Sequence, residues 1–205
     1  REARWALSGM AEQMLVPTVD ILGPSFSALH DLLQRDPSGK PGLFYASDRE
    51  RFDRQSAIDY TLKHDDGRRP EELCEADVVL VGVSRASKTS TSFYLGYSVI
   101  RTANIPLIPD VPPPPELLAL DRELVIGLTI NQRRLKTIRE VRARGLGRHV
   151  QDSYANEKDI VREIRYANDL IARSKWRSVD VSYKAIEEVA RLVAEIRGLR
   201  LRTPE

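Results

Sequence analysis

The sequence predicts an α/β fold: a three-layer core with a mostly parallel sheet between helices, preceded by a mainly helical lead-in. Three observations predict it. Asp77 to Val83, DVVLVGV, is a continuous apolar run rich in β-branched residues, as in a strand buried on both faces. After it, apolar runs alternate with segments of helical periodicity. Before it, the chain holds helical patterns and Pro/Gly-bearing loops but no comparable strand. A chain of 205 residues, 41% hydrophobic, can bury one sizeable core. The expected division is a helical lead-in over residues 1–70 and a core over 71–205.

Within the lead-in, a helix is expected from Pro24 to Gln34, because proline suits a first helical turn. DPSGKPG, residues 36–42, then reads as a loop. A second helix is expected from Asp48 to Lys63, capped by Asp48, with Gly67 just past its end. HDDGRRPEE, His64 to Glu72, is a charged loop. In the core, a helix follows the first strand over Lys88 to Ile100, and ANIPLIP, Ala103 to Pro109, is a short strand. DVPPPPE is a stiff connector. ELVIGLTI, Glu123 to Ile130, is a strand, and Asn131 caps a helix through Ala143. A long helix covers Asn156 to Ser174, RSVDVS is a strand, and the last helix runs from Tyr183 to Arg197 with Ile186, Val189, Val193 and Ile196 on one stripe.

Gly82-Val83-Ser84-Arg85-Ala86-Ser87-Lys88-Thr89 has the frame of the phosphate-binding loop G-x-x-x-x-G-K-[ST], with serine replacing the second glycine. Each part has a physical task. Gly82 lets the backbone leave the strand, and the following amides and helix N-terminus face phosphate oxygens. Lys88 reaches the outer phosphates, and the Thr89 hydroxyl is placed for Mg²⁺. Arg85 adds a second cation. With this loop between buried strand and helix, right-handed crossovers give a P-loop-kinase-like core. The competing reading is a strand–turn–helix with an incidental Lys-Thr.

Phosphoryl transfer also needs carboxylates to orient the attacking hydroxyl or hold the metal. Asp65 and Asp66, beside His64, are candidates, against the alternative of a solvated turn. Asp180, near the carboxyl end of a strand, is a candidate Mg²⁺ ligand, or merely begins a turn in which Ser182 caps the next helix. Arg139 and Arg142, one turn apart in a basic segment from Arg133 to His149, either bind an anion or form a solvated face.

Composition narrows the classes. A net charge of +2 gives no reason to propose nucleic-acid or membrane binding. Cys74 is the single cysteine, so neither an internal disulfide nor a cysteine zinc cluster is available. No long apolar span or leader pattern stands out, making the cytoplasm the default location.

Several separated motifs together resemble one family. ADVVLVGVSRASKTSTSFYLG, ANIPLIPDVPPPPEL, GLTI followed by LKTIREVR, VDVSYKAIEEVA, HDDG and PSGKPG are similar, in the same order, to the pyruvate, phosphate dikinase regulatory proteins, relatives of the phosphoenolpyruvate synthase regulatory proteins. The proline-rich segment leans toward the dikinase branch. The resemblance implies a bifunctional enzyme with ADP, Mg²⁺ and inorganic phosphate as its small partners. ADP-dependent phosphorylation of an active-site threonine would inactivate the dikinase, and phosphate-dependent, pyrophosphate-releasing removal would restore it. Lys88, Arg85, Asp65, Asp66 and His64 would be the catalytic set, the loop from Gly82 to Thr89 the nucleotide site, and Thr89 with Asp180 the metal site.

Serine at position 87 is a habit of that family. Ala86, Ser90 and Ala185 depart from it, standing where Thr or Ser, Pro and Ser are usual. The family's serine- and threonine-rich amino-terminal motif is not found, so the chain looks like the carboxy-terminal three-quarters of a longer protein. A homodimer is also implied. Competing expectations are the same reaction on phosphoenolpyruvate synthase, a small-molecule kinase or NTPase, and a non-catalytic nucleotide-binding module.

Overall fold

The computed structural model describes residues 2–21, 23–35, 43–145 and 156–201. The loop expected over 36–42 and the basic stretch beyond Gly145 lie outside them. The chain divides into two compact units, Arg1–Asp48 and Arg49–Glu205. The first carries α1 (Glu2–Gln13) and α2 (Gly23–Leu33), and α3 spans Leu43–Lys63. The start of α2 is tied by Gly23 N, which donates to Asp20 Oδ1 at 2.8 Å. The second unit includes residues 49–70, which the sequence reading groups with the lead-in, so HDDG belongs to the same body as the sheet.

That body is an α/β layer structure. Its strands are β1 (Val78–Gly82), β2 (Thr102–Pro106), β3 (Val125–Thr129) and β4 (Arg177–Asp180), all parallel, in the order β2-β1-β3-β4. The helices are α4 (Lys88–Tyr97), a short α5 (Pro115–Ala119), α6 (Gln132–Gly145), α7 (Glu157–Arg173) and α8 (Ile186–Arg197). From β1 the chain crosses one way to β2, and from β3 the other way to β4. Right-handed crossovers in opposite directions put α4 and the α6–α7 pair on opposite faces. In keeping with this, α4 packs on α8, and α7 lies on β3.

The central strand explains the core. Val78, Val79, Leu80 and Val81 are wholly buried, because both faces of a doubly covered sheet must be apolar. Leu95, Ile126, Leu128, Leu135, Ile160 and Val193 close around them. Register aligns Gly82 with Pro106 and Val81 with Gly127, so the carboxyl ends of β1, β2 and β3 open on one crevice. Among the described residues no helix is long and apolar enough to cross a membrane.

Departures from expectation have local causes. The charged loop winds into two 3₁₀ turns, Asp65–Gly67 and Pro70–Glu75. The proline connector ends in α5, where Pro115 starts a turn that buries Leu117. The last helix begins at Ile186 instead of Tyr183, and Ala185 occupies its N-cap. Ser182 is therefore not that cap: its amide donates to Asp180 Oδ1 at 2.9 Å, and its hydroxyl accepts from Asn131 N at 2.8 Å. Asn131 does cap α6, accepting from Arg133 N at 2.9 Å.

Candidate active site

The loop after β1 has the shape its residues demand. Gly82 has φ 153°, and a Cβ there would sit 2.4 Å from the Leu128 carbonyl oxygen on the neighbouring strand. Any side chain would push β1 and β3 apart. Two further loop residues, Arg85 (φ 73°) and Ser87 (φ 59°), occupy left-handed backbone without being glycine. Val83 and Ala86 are buried and hold the loop to the core. A cavity of about 330 Å³ beside the loop and the start of α4 is lined by Asp66, Ser84, Arg85, Ser87, Lys88, Thr89, Ser90, Pro106 and Ile138.

Lys88 is buried beneath this loop, its ammonium donating to the Gly82 and Val83 carbonyls at 3.1 and 3.0 Å. Burial lowers its pKa to about 8, with Arg139 and Arg85 pushing the same way and Asp66 and Asp65 opposing. Its charged form is thus costly without an anion nearby.

HDDG reaches the loop. Thr89 Oγ1 donates to Asp65 Oδ1 at 2.9 Å, and the same oxygen accepts from Asn104 Nδ2 at 2.6 Å. Asn104, wholly buried in β2, also takes the Asp66 amide on its side-chain oxygen at 3.2 Å, and its own backbone amide donates to the His64 carbonyl at 3.1 Å. One asparagine therefore fixes both aspartates. Asp65 is drawn to Thr89, while Asp66, in left-handed backbone (φ 54°), is exposed and faces the cavity.

The remaining candidates sit elsewhere. His64 is buried outside the cavity lining, its ring stacked on Tyr60 at 3.8 Å and Nδ1 2.7 Å from the Tyr60 carbonyl. Burial, reinforced by Glu75, raises the Tyr60 pKa. Asp180 does not line the cavity either, and its carboxylate serves the turn at Ser182. Arg142 is exposed, whereas Arg139 is buried and forks onto Glu163 of α7 at 2.9 and 2.6 Å.

The kinase/pyrophosphorylase family profile matches residues 1–194. The chain belongs to the kinase/pyrophosphorylase family. Three of its relatives are each named as a putative pyruvate, phosphate dikinase regulatory protein. That of Shouchella clausii is 41% identical over 195 residues, covering 95% of this chain and 72% of the relative. That of Halalkalibacterium halodurans is 41% identical over 186 residues, covering 91% and 69%. The third, from Lysinibacillus sphaericus, is 38% identical over 195 residues, covering 95% and 72%.

In this member of the kinase/pyrophosphorylase family, sequence reasoning missed Asn104 and Glu163. An amide in the middle of an apolar strand was the available signal for Asn104, since a buried amide needs partners. Glu163 gave none, being one acid among several on a charged helix.

Proposed function

We propose that this protein phosphorylates a threonine of pyruvate, phosphate dikinase from ADP and removes that phosphoryl group with inorganic phosphate. In the first direction the threonine oxygen bonds to the β-phosphorus as the bond to the bridging oxygen breaks, leaving AMP, and the hydroxyl proton leaves to a base. In the second, a phosphate oxygen attacks the phosphothreonine phosphorus; pyrophosphate departs and the threonine oxygen regains a proton. One loop that cradles two linked phosphates suits both ADP and pyrophosphate. The observation that carries the reading is the meeting of HDDG with the phosphate loop, Thr89 Oγ1 to Asp65 Oδ1 at 2.9 Å.

Loop amides and Lys88 bear the transferring charge, and Arg85 is placed in the cavity lining to share it. Asp66, facing the cavity, orients the threonine hydroxyl and takes its proton. The adjacent oxygens of Thr89 and Asp65 are the hard donors that Mg²⁺ prefers, and these residues would hold it. Bound there, Mg²⁺ would offset phosphate charge. The names of the relatives support the dikinase as the target.

The test incubates the protein with purified dikinase, phosphorylated on its catalytic histidine, and ADP labelled in the β-phosphate. Label on a dikinase threonine, then released as pyrophosphate on adding phosphate, is the expected result. Transfer only to phosphoenolpyruvate synthase would move the target, nucleotide turnover without either protein would indicate a small-molecule kinase or NTPase, and binding without turnover a sensing module.

A further inference from the structure

The phosphate loop lacks the glycine that usually relaxes it, yet two of its residues hold left-handed backbone. Single residues can remain in such conformations only where their surroundings over-determine them. Lys88 supplies part of that restraint from below, through the Gly82 and Val83 carbonyls. The other part comes from outside the motif. Arg139, 1% exposed, donates through Nη2 to the Ser84 carbonyl at 3.2 Å. Its fork is fixed by both oxygens of Glu163, at 2.9 and 2.6 Å. Ser84 precedes the first strained residue. If its peptide turned over, a carbonyl would replace an amide at the face that receives phosphate.

We propose that Arg139 is a positioning residue for the phosphate loop: oriented by Glu163, it clamps the Ser84 carbonyl and keeps a loop without its second glycine in the shape that receives an anion. The inference rests on the phosphate-binding reading of this cavity but not on which protein is the target. The clamp joins two helices to one loop, α6 through Arg139 and α7 through Glu163, and the loop itself runs on through Ser87 into α4. A bidentate guanidinium is suited to this task, because it can satisfy a carboxylate and still present a donor to a third group. Lysine cannot do both with the same geometry.

A buried ion pair that only supported the fold would leave anion affinity unchanged once the protein had folded, and the strain at Ser87 would be irrelevant to it. The experiment measures binding of ADP and of pyrophosphate by calorimetry in wild type, R139K and the double variant R139M/E163L, each with and without S87G. The double variant removes both charges, so no buried ion is left unpaired. R139K and R139M/E163L should each bind both ligands about tenfold more weakly than wild type, the scale of one lost hydrogen bond to a charged group. S87G, which frees position 87 to hold its backbone unaided, should recover most of that loss.

Unchanged affinity in folded R139M/E163L overturns the clamp while leaving the phosphate site standing. An equal fold-loss in the presence and absence of S87G overturns it too. If R139M/E163L does not fold, R139K, which keeps the charge, decides between the same outcomes. Failure of wild type to bind either ADP or pyrophosphate overturns the phosphate-site reading and the clamp together.

Discussion

Lys88 is an ammonium held in a buried place at a pKa of about 8, and an anion beside it restores the charged form. The contribution of Lys88 to the affinity for ADP or pyrophosphate should therefore be full below about pH 8 and fall by up to about tenfold per unit above it. Lys88→Met should lose both most of the affinity and this dependence. Calorimetry at about pH 8.5 in buffers of different ionisation heat should register proton uptake on binding. Folding responds the opposite way. The folded value lies below the usual 10.5, so between about 8 and 10.5 the unfolded chain holds more protons, and the free protein gains stability as pH rises through that window. The two aspartates should also separate. Asp66→Asn should keep anion affinity but slow threonine transfer by about a hundredfold or more, as read by single-turnover rates. Asp65→Ala removes the oxygen that accepts from both Thr89 and Asn104, so binding and transfer should fall together. The sequence displays both carboxylates but not this difference, because it depends on Asn104, 38 residues from Asp66 along the chain.

Among the elements, the contact between α7 and β3 depends on one missing side chain. A Cβ on Gly127 would sit 2.6 Å from Ile171 Cδ1 and 2.9 Å from Cγ1. Gly127→Ala should therefore destabilise by about 1–3 kcal/mol through overpacking, measured as a lower urea midpoint with unchanged slope. Ile171→Ala alone should cost about 2–5 kcal/mol, and the double variant less than the sum, since the added methyl group fills part of the vacated space. The central strands β1 and β3 were legible in the sequence because a parallel sheet covered on both faces forces apolar runs, as in Val78 to Val81. The helix capped by Asn131 was legible for an equally local reason. What escaped was built by contacts distant in sequence or by short turns. The start of α8 shifted because Asp180 and Ser182 organise a turn of their own. The place of HDDG shifted because β2, not the loop's own residues, decides where it lies.

At the scale of the whole molecule, every residue lining the cavity beside the β1–α4 loop lies in the unit Arg49–Glu205. Ligand binding should therefore stabilise the unfolding transition of the sheet. Pyrophosphate at about a hundred times its Kd should add about 2.7 kcal/mol, raising that transition by roughly 5–10 °C in a calorimetric scan. Lys88→Met should abolish the shift at the same ligand concentration.

The fork between Arg139 and Glu163 also has a consequence in time. A chain leaves the ribosome from its amino end, so Asp65, the phosphate loop and Asn104 emerge first, and the glutamate that orients the guanidinium emerges last. At roughly 5–20 residues per second, the loop is outside for several seconds with only the restraint that Lys88 gives, before the fork exists. During synthesis the newborn protein thus carries the motif before it carries the fork, and under the proposed clamp its capacity to hold an anion would be acquired late, when α7 arrives.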